Sequence, residues 1–532
     1  MARKISGLNR ALWCSLAMLG ACIPACAQNA GQVAATPLPI STQRIDDTVA
    51  AAMKAFQVPG VAVGIVKDGQ LVLAKGYGVR ELGKPEPVGR DTLFQIGSNT
   101  KAFTAAALAM LVDEGKLRWD DKVTDYLPQF SLYDPYATRE FTLRDLLTHR
   151  SGLGLGAGDL MFFPPTDMSR DQMMHGLRHL KPVTSFRSTY AYDNLMYMVA
   201  GQVVAKVAGM AWEDFIATRI FAPLRMTACA PNAGRVGPDG DRVVPHVVIE
   251  GALKAIAPTS VDSIGPAGSI HCNISGMARW LQAQLASGQS ASSTRLYSPE
   301  RAAEMWSVTT PMPMAALLSS MYGAHFSGYG LGWELSDTRG YLRVHHTGGV
   351  PGSVTWVSMI PELKLGVLVF TNQENPGAME AIGGQILDAY VGAPKRDWVA
   401  IAKNYMDRRD DSGEQAEAAV AKVVAAAGPA PLPLDAYVGT YRDAWRGDIS
   451  VRREGGRLLL KFSRTSALEG GLIHYSGNIF VVRWHDRSLH ADAYIRFEQS
   501  YGETIAGATM DRISPTTDFS FDFQDLHFDK VK

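Results

Sequence analysis

Apolar residues recur at three- and four-residue spacing from Ile45 to Phe56, the signature of a helix with one buried face. The period then changes, and Val61 to Arg80 reads as two strands that turn at Lys67-Asp68-Gly69. A second strand pair runs from Tyr341 to about Asn372, with Thr355 to Ile360 and Leu365 to Phe370 on either side of Pro361-Glu362. Between these distant pairs the chain is helical and loop-rich. Helices are expected over Lys101 to Glu114, Leu143 to Thr148, Asn194 to Val207 and Ile274 to Ala286. The pattern predicts an α+β domain over residues 28–393, with one antiparallel sheet assembled from chain-distant hairpins and flanked by helices.

Beyond Val391 the pattern shifts. Asp397 to Val424 reads as a polar, Ala-rich helix and Gly428 to Pro433 as a stiff run, so residues 394–433 form a helical and Pro-rich linker. From Leu434 onward short strand-like runs dominate: Asp448 to Arg453, Arg457 to Phe462, Ile479 to Trp484 and Ala493 to Phe497. They predict a small all-β, barrel-like domain over 434–532, with Trp445, Tyr475 and Trp484 filling its interior. At the other end, Arg3, Lys4 and Arg10 precede an apolar run from Ala11 to Ile23 and then Ala25-Cys26-Ala27, the layout of a secretory signal over residues 1–27. That run falls short of the roughly 20 apolar residues that span a bilayer, and Pro24 interrupts it. A mature form without a transmembrane helix, periplasmic or secreted, is expected. The alternative is a lipoprotein at the membrane surface, since Leu19-Gly20-Ala21-Cys22 is similar to a lipobox and would anchor the chain at Cys22.

Composition narrows the function. Equal numbers of basic and acidic side chains, 52 of each, remove the positive excess that a nucleic-acid binder needs. Of the five cysteines, Cys14, Cys22 and Cys26 lie in the signal, leaving Cys229 and Cys272. One disulfide is available to them, but two small buried thiols are the favoured reading. With no H-E-x-x-H and no paired C-x-x-C, neither a metal site nor a cofactor is expected.

The chemistry concentrates in three short motifs. Ser98-Asn99-Thr100-Lys101 opens the apolar stretch Ala102 to Val112, a helix hydrophobic nearly all round and therefore buried. Residues three apart share a helix face, so Lys101 lies beside the Ser98 hydroxyl, and burial lowers a lysine pKa toward the range where its neutral amine accepts a proton. Tyr192-Asp193-Asn194 and the strand-like His346-Thr347-Gly348-Gly349 follow in order. Together with Leu146 to Leu153 and Pro266-Ala267-Gly268-Ser269, these motifs make residues from about Ile40 to Val391 resemble the serine β-lactamase and penicillin-binding protein superfamily, in its class C, D-peptidase and esterase branch. The last hundred residues resemble the β-barrel domain often appended to such hydrolases.

The resemblance implies an exported serine hydrolase in which Ser98 attacks a carbonyl, Lys101 and Tyr192 share the proton traffic, and an acyl-enzyme forms. It implies that Asn194 bonds Lys101 and a substrate amide, that backbone N–H groups of Ser98 and Gly349 make the oxyanion hole, and that His346, Thr347 and Gly348 border the substrate. The expected substrate is a small peptide containing D-residues, of wall or linearised non-ribosomal, microcystin-like origin. A carboxylesterase, a β-lactamase and a penicillin-binding receptor without turnover follow as alternatives. Two departures stand out. His346 replaces the lysine common in penicillin-recognising members, which lowers the expectation of β-lactam hydrolysis. Asp193 occupies a position usually held by Ser, either as a carboxylate near the cleft that favours a cationic substrate or as a surface group without a role. His149, His345, Tyr190, Met173-Met174 and Phe162-Phe163 are assigned to core packing. The sequence leaves the oligomeric state open.

Overall fold

A computed structural model describes residues 38–531 apart from 238–239, 315 and 501–503. The signal-like segment, with Cys14, Cys22 and Cys26, lies outside the described residues. Helix α1 (Thr42–Ala55) starts where the Ser41 hydroxyl accepts the Arg44 N–H, and it buries Ile45, Val49 and Ala52, the stripe its spacing predicts. Strands β1 (Gly60–Lys67) and β2 (Gln70–Gly78) form the first hairpin. Far along the chain come β3 (Thr310–Pro311), β4 (Ser327–Tyr329), β5 (Glu334–Thr338), β6 (Tyr341–Val350), β7 (Ser353–Ile360) and β8 (Leu365–Thr371). They join into one antiparallel sheet of order β2-β1-β8-β7-β6-β5-β4-β3, so β1 lies against β8 in the register Val61 to Thr371 through Lys67 to Leu365.

The central strands β7 and β8 are buried along their whole length and show no apolar–polar alternation, because both faces of the sheet are covered. Val61, Val63 and Ile65 point to one side, where α1 and α5 (Gly377–Tyr390) pack. Ala62 and Val66 point to the other, toward α2 (Lys101–Asp113), α3 (Leu195–Ala208) and α4 (Ile274–Leu285). On that side Phe103 of α2 stacks on Trp280 of α4 at 3.9 Å between ring centres. The nearly all-apolar α2 is thereby surrounded, as its sequence demands.

Helix α6 (Trp398–Ala426) buries only Trp398, Ala402, Met406, Gly413 and Val420, a stripe on an otherwise polar rod. Its first two turns dock against α1 and α5. The chain then enters a closed antiparallel barrel of eight strands in sequential order, β9 (Gly439–Asp443) to β16 (His527–Lys530), with β15 at Ile505–Arg512. Ile449, Val451, Leu458, Leu460, Phe480 and Val482 alternate into its interior. Trp484 is buried there as well, whereas Tyr475 is only partly buried and packs against Tyr494.

One expectation is corrected. Cys229 and Cys272 are joined in a disulfide rather than being separate buried thiols. Backbone bonds between Ala230 and His271 bring the two residues side by side, a proximity across 43 positions that spacing alone does not reveal. Among the described residues no single helix is long and apolar enough to cross a membrane.

Candidate active site

The short strand Phe94–Gln95 pairs with His271–Cys272 and delivers the chain into a single turn of 3₁₀ helix, Gly97–Thr100, that runs on into α2. This turn is pressed against β6. Gly97 has φ +53°, and a Cβ on Gly348 would lie 1.9 Å from the Ile96 carbonyl oxygen, so both positions require glycine. The Thr355 hydroxyl of β7 donates to Ile96 O at 2.9 Å and accepts from the Asn99 side-chain amide at 2.9 Å, while Thr100 Oγ1 accepts the Ile270 N–H. Ser98 is left half-exposed on a turn whose neighbours are fixed on both sides.

Lys101 is completely buried. Its Nζ donates to Ser98 Oγ at 3.0 Å, to Asn194 Oδ1 at 2.7 Å and to the Ala267 carbonyl at 3.1 Å, which uses all three protons of an ammonium. Burial pulls its pKa down to about 7, against the opposing pull of Asp159 and Asp193. The Tyr192 ring centre lies 4.6 Å from Nζ; burial pushes its phenol well above the ordinary value, against a downward pull from Ser98. Ser98, Lys101, Tyr192 and Asn194 therefore meet at one point, although the first and last are almost a hundred residues apart.

Behind Tyr192 stands His149, ring centres 4.3 Å apart, with φ +52°. Its Nδ1 accepts the Asp193 N–H at 3.0 Å, which fixes the ring against the motif. Asp193 itself is fully buried: it accepts from Met196 N and from Ser151 Oγ, capping α3. Neither of the two positions expected for it, cleft or surface, is the one observed. Burial pushes its carboxyl up to about 6.

His346 also turns inward. Its ring is 2% exposed, Nδ1 bonds the Thr347 carbonyl at 2.6 Å and Nε2 bonds the Tyr329 hydroxyl at 2.9 Å. The carbonyl can only accept, so Nδ1 carries the proton and Tyr329 donates to Nε2. Burial and the nearby Lys101 push His346 down to about 3, so the ring is neutral and braces Tyr329 rather than presenting a charge to substrate. Thr347 is half-buried, Gly348 buried and Gly349 exposed with open space beside its Cα. Strand β6 pairs with β5 only from Tyr341 to His345, so from His346 onward that side of β6 carries no paired strand.

Four residues near this point escape sequence reasoning. Asp159, fully buried, accepts from Asn194 Nδ2 at 2.8 Å. Tyr329 packs on His149 at 4.4 Å. Phe519 and Ser520 come from the barrel: the Phe519 ring meets Tyr192 edge-on at 5.7 Å, and Ser520 Oγ donates to Asp159 Oδ2 at 2.8 Å. Asp159 directly follows the Gly-rich run Gly154 to Gly158, a turn signal without chemical content, and nothing in the sequence links it to Ser520. Among the described residues no cluster of three or more His, Cys, Asp or Glu side chains is placed to hold a metal ion.

Comparison with known proteins agrees with this arrangement. An unguisins hydrolase of Aspergillus campestris is 27% identical over 462 residues, covering 83% of this chain and 84% of its own length. Penicillin-binding protein 4 of Amycolatopsis lactamdurans is 28% identical over 332 residues, 59% of this chain and 81% of that protein. The octameric penicillin-binding protein homologue from Pyrococcus abyssi superposes with a TM-score of 0.59 at 21% identity, over 92% of this chain and 100% of its own. The crystal structure of SurE gives 0.53 at 20% identity, over 92% and 99%. Residues 424–530 match a domain of unknown function, DUF3471. Residues 45–390 match the Beta-lactamase family model, and with a buried lysine on its half-exposed serine the chain belongs to that family as a serine hydrolase.

Proposed function

We propose that this serine hydrolase acts through an acyl-enzyme on Ser98 and cleaves amide bonds beside D-residues in small peptides. The observation that carries the chemistry is the fully buried Lys101, held 3.0 Å from Ser98 Oγ and poised near neutral pH. As its neutral amine takes the hydroxyl proton, Ser98 Oγ bonds the substrate carbonyl carbon, and the oxyanion is held by the backbone N–H groups of Ser98 and Gly349. Tyr192, its ring 4.6 Å from Lys101 Nζ, gives its phenol proton to the departing amine and regains one from the Lys101 ammonium, and the acyl group then passes to water with the same groups working in reverse. Asn194 keeps Lys101 in place and meets the substrate amide, while Thr347 and the unpaired side of β6 line up an extended peptide.

Two relatives support the peptide reading: one is named for hydrolysis of unguisins, and one solved neighbour is SurE with D-Leu. Residence outside the cytoplasm is part of the proposal, supported by the signal-like residues 1–27 and by the disulfide, which persists in oxidising compartments. A carboxylesterase is the second reading, favoured by a neutral, inward-turned His346 where a cation would hold a substrate carboxylate. Incubation of the protein and Ser98→Ala with D-Ala-containing and all-L peptides, followed by mass spectrometry, separates the two. Ser98-dependent cleavage beside a D-residue is the expected result; intact peptides alongside hydrolysed simple esters would establish the esterase.

A further inference from the structure

Asn194 is the middle of a chain of hydrogen bonds that leaves the hydrolase domain. Its Oδ1 accepts from Lys101, its Nδ2 donates to Asp159 Oδ2, and that same oxygen accepts from Ser520 Oγ in the segment between β15 and β16 of the barrel. Two residues further on, Asp522 accepts the N–H groups of Gly158 at 2.5 Å and Leu160 at 3.0 Å, gripping the backbone on both sides of Asp159. Asp159 and Asp522 are fully buried and Ser520 is 8% exposed. Two carboxyls and a hydroxyl are thus removed from water at the point where the two domains touch, a costly arrangement unless their partners are specific.

We propose that Asp159 is a positioning residue for the Ser98–Lys101 pair and that the barrel, through Ser520 and Asp522, holds it in place, so that the catalytic site is complete only with the C-terminal domain docked. This rests on the serine mechanism above. An amide side chain has one accepting and one donating end. With Asp159 accepting from Nδ2, only Oδ1 of Asn194 can face the Lys101 amine; without that acceptor the amide is free to turn and offer a donor to another donor. The Asp159 carboxyl also acts through space. It faces Lys101 and Asp193 within the hydrolase domain and Asp522 from the barrel, and Asp522 in turn faces Arg446 and Asp525. Lys101 faces Asp193, His149, His346 and the rings of Tyr192 and Tyr197 as well. Burial, and then Asp522, push the Asp159 carboxyl well above its ordinary value, and the bonds from Asn194 and Ser520 oppose that rise. Deleting the Ser520 hydroxyl removes one of those opposing bonds and pushes Asp159 further toward the neutral acid, so less of its charge is left to support the Lys101 ammonium and the lysine gives up its proton at lower pH.

The test is the pH profile of kcat/KM for p-nitrophenyl butyrate, measured on full-length protein and on Ser520→Ala, Ser520→Thr, Asp159→Asn and Ser98→Ala. Ser520→Ala is expected to lose about fivefold in kcat, the worth of one hydrogen bond, and to move its acid limb to lower pH. Asp159→Asn moves the limb further in the same direction, and Ser520→Thr restores both. Unmoved limbs and an unchanged kcat in Ser520→Ala, with Ser98→Ala inactive, would overturn the positioning role. A fully active Ser98→Ala would instead overturn the nucleophile. The Ser520 pair decides the matter even where Asp159→Asn does not fold.

Discussion

At the scale of single residues, the proposed mechanism makes the rate depend on the protonation of Lys101. A lysine with its pKa near 7 is an ammonium in acid and cannot take the Ser98 proton, so kcat/KM is expected to rise with pH up to about 7 and then level off. The curve is measured with any Ser98-dependent substrate. Lys101→Ala removes the base and is expected to cost about 10²–10⁴-fold. Lys101→Arg is expected to restore nothing, because a guanidinium keeps its proton; recovery of activity in that variant would show that a fixed charge, and not a proton acceptor, is what Ser98 requires. The sequence singles out Ser98, Lys101, Tyr192 and Asn194 because each sits in a short, recognisable motif, and the structure brings the four side chains together. His346 was legible as a neutral group but not as one facing inward, since its orientation depends on Tyr329, seventeen residues earlier.

Among the elements, those with strong periodicity were read to within a few residues. The expected helix from Ile45 to Phe56 is Thr42–Ala55, and the one from Ile274 to Ala286 is Ile274–Leu285. Half of the barrel went unread. Gly439–Asp443 and His527–Lys530 are short and polar, while Glu469–Ser476 and Ile505–Arg512 carry glycines that weaken a strand signal. The disulfide belongs to this scale as well, since it ties the loop at Cys229 to the strand His271–Cys272, which in turn pairs with the strand feeding the Ser98 turn. Closing a loop of this length is worth about 4 kcal/mol in the chain-entropy account. Cys272→Ser, or reduction, is expected to lower unfolding stability by about 2–4 kcal/mol, read as a lower urea midpoint.

For the molecule as a whole, one buried apolar cluster runs from Ala62 in the sheet, through α2 and α3, to Phe528 in the barrel. Phe163 against Phe521 is one point of passage, and the Arg464–Asp167 ion pair lies at the rim. Two domains joined by a shared core are expected to unfold in a single cooperative transition. Coincident melting curves from tryptophan fluorescence and far-ultraviolet circular dichroism would show it, and two separated transitions would refute it. This union is what the sequence could least reveal. A change of composition in the sequence separates the barrel from the rest, but the bond from Ser520 to Asp159 crosses 361 positions with no motif at either end.

The same separation has a meaning in time. A ribosome adding about 5–20 residues per second takes on the order of 20–80 s to travel from Ser98 to Ser520. For that interval a growing chain already holds Ser98, Lys101 and Tyr192 but not the Ser520 hydroxyl that bonds Asp159. On the proposed roles, completion of the site is therefore a late event in synthesis, and a chain stalled or clipped ahead of Ser520 carries Ser98 and Lys101 without the barrel's hold on Asp159.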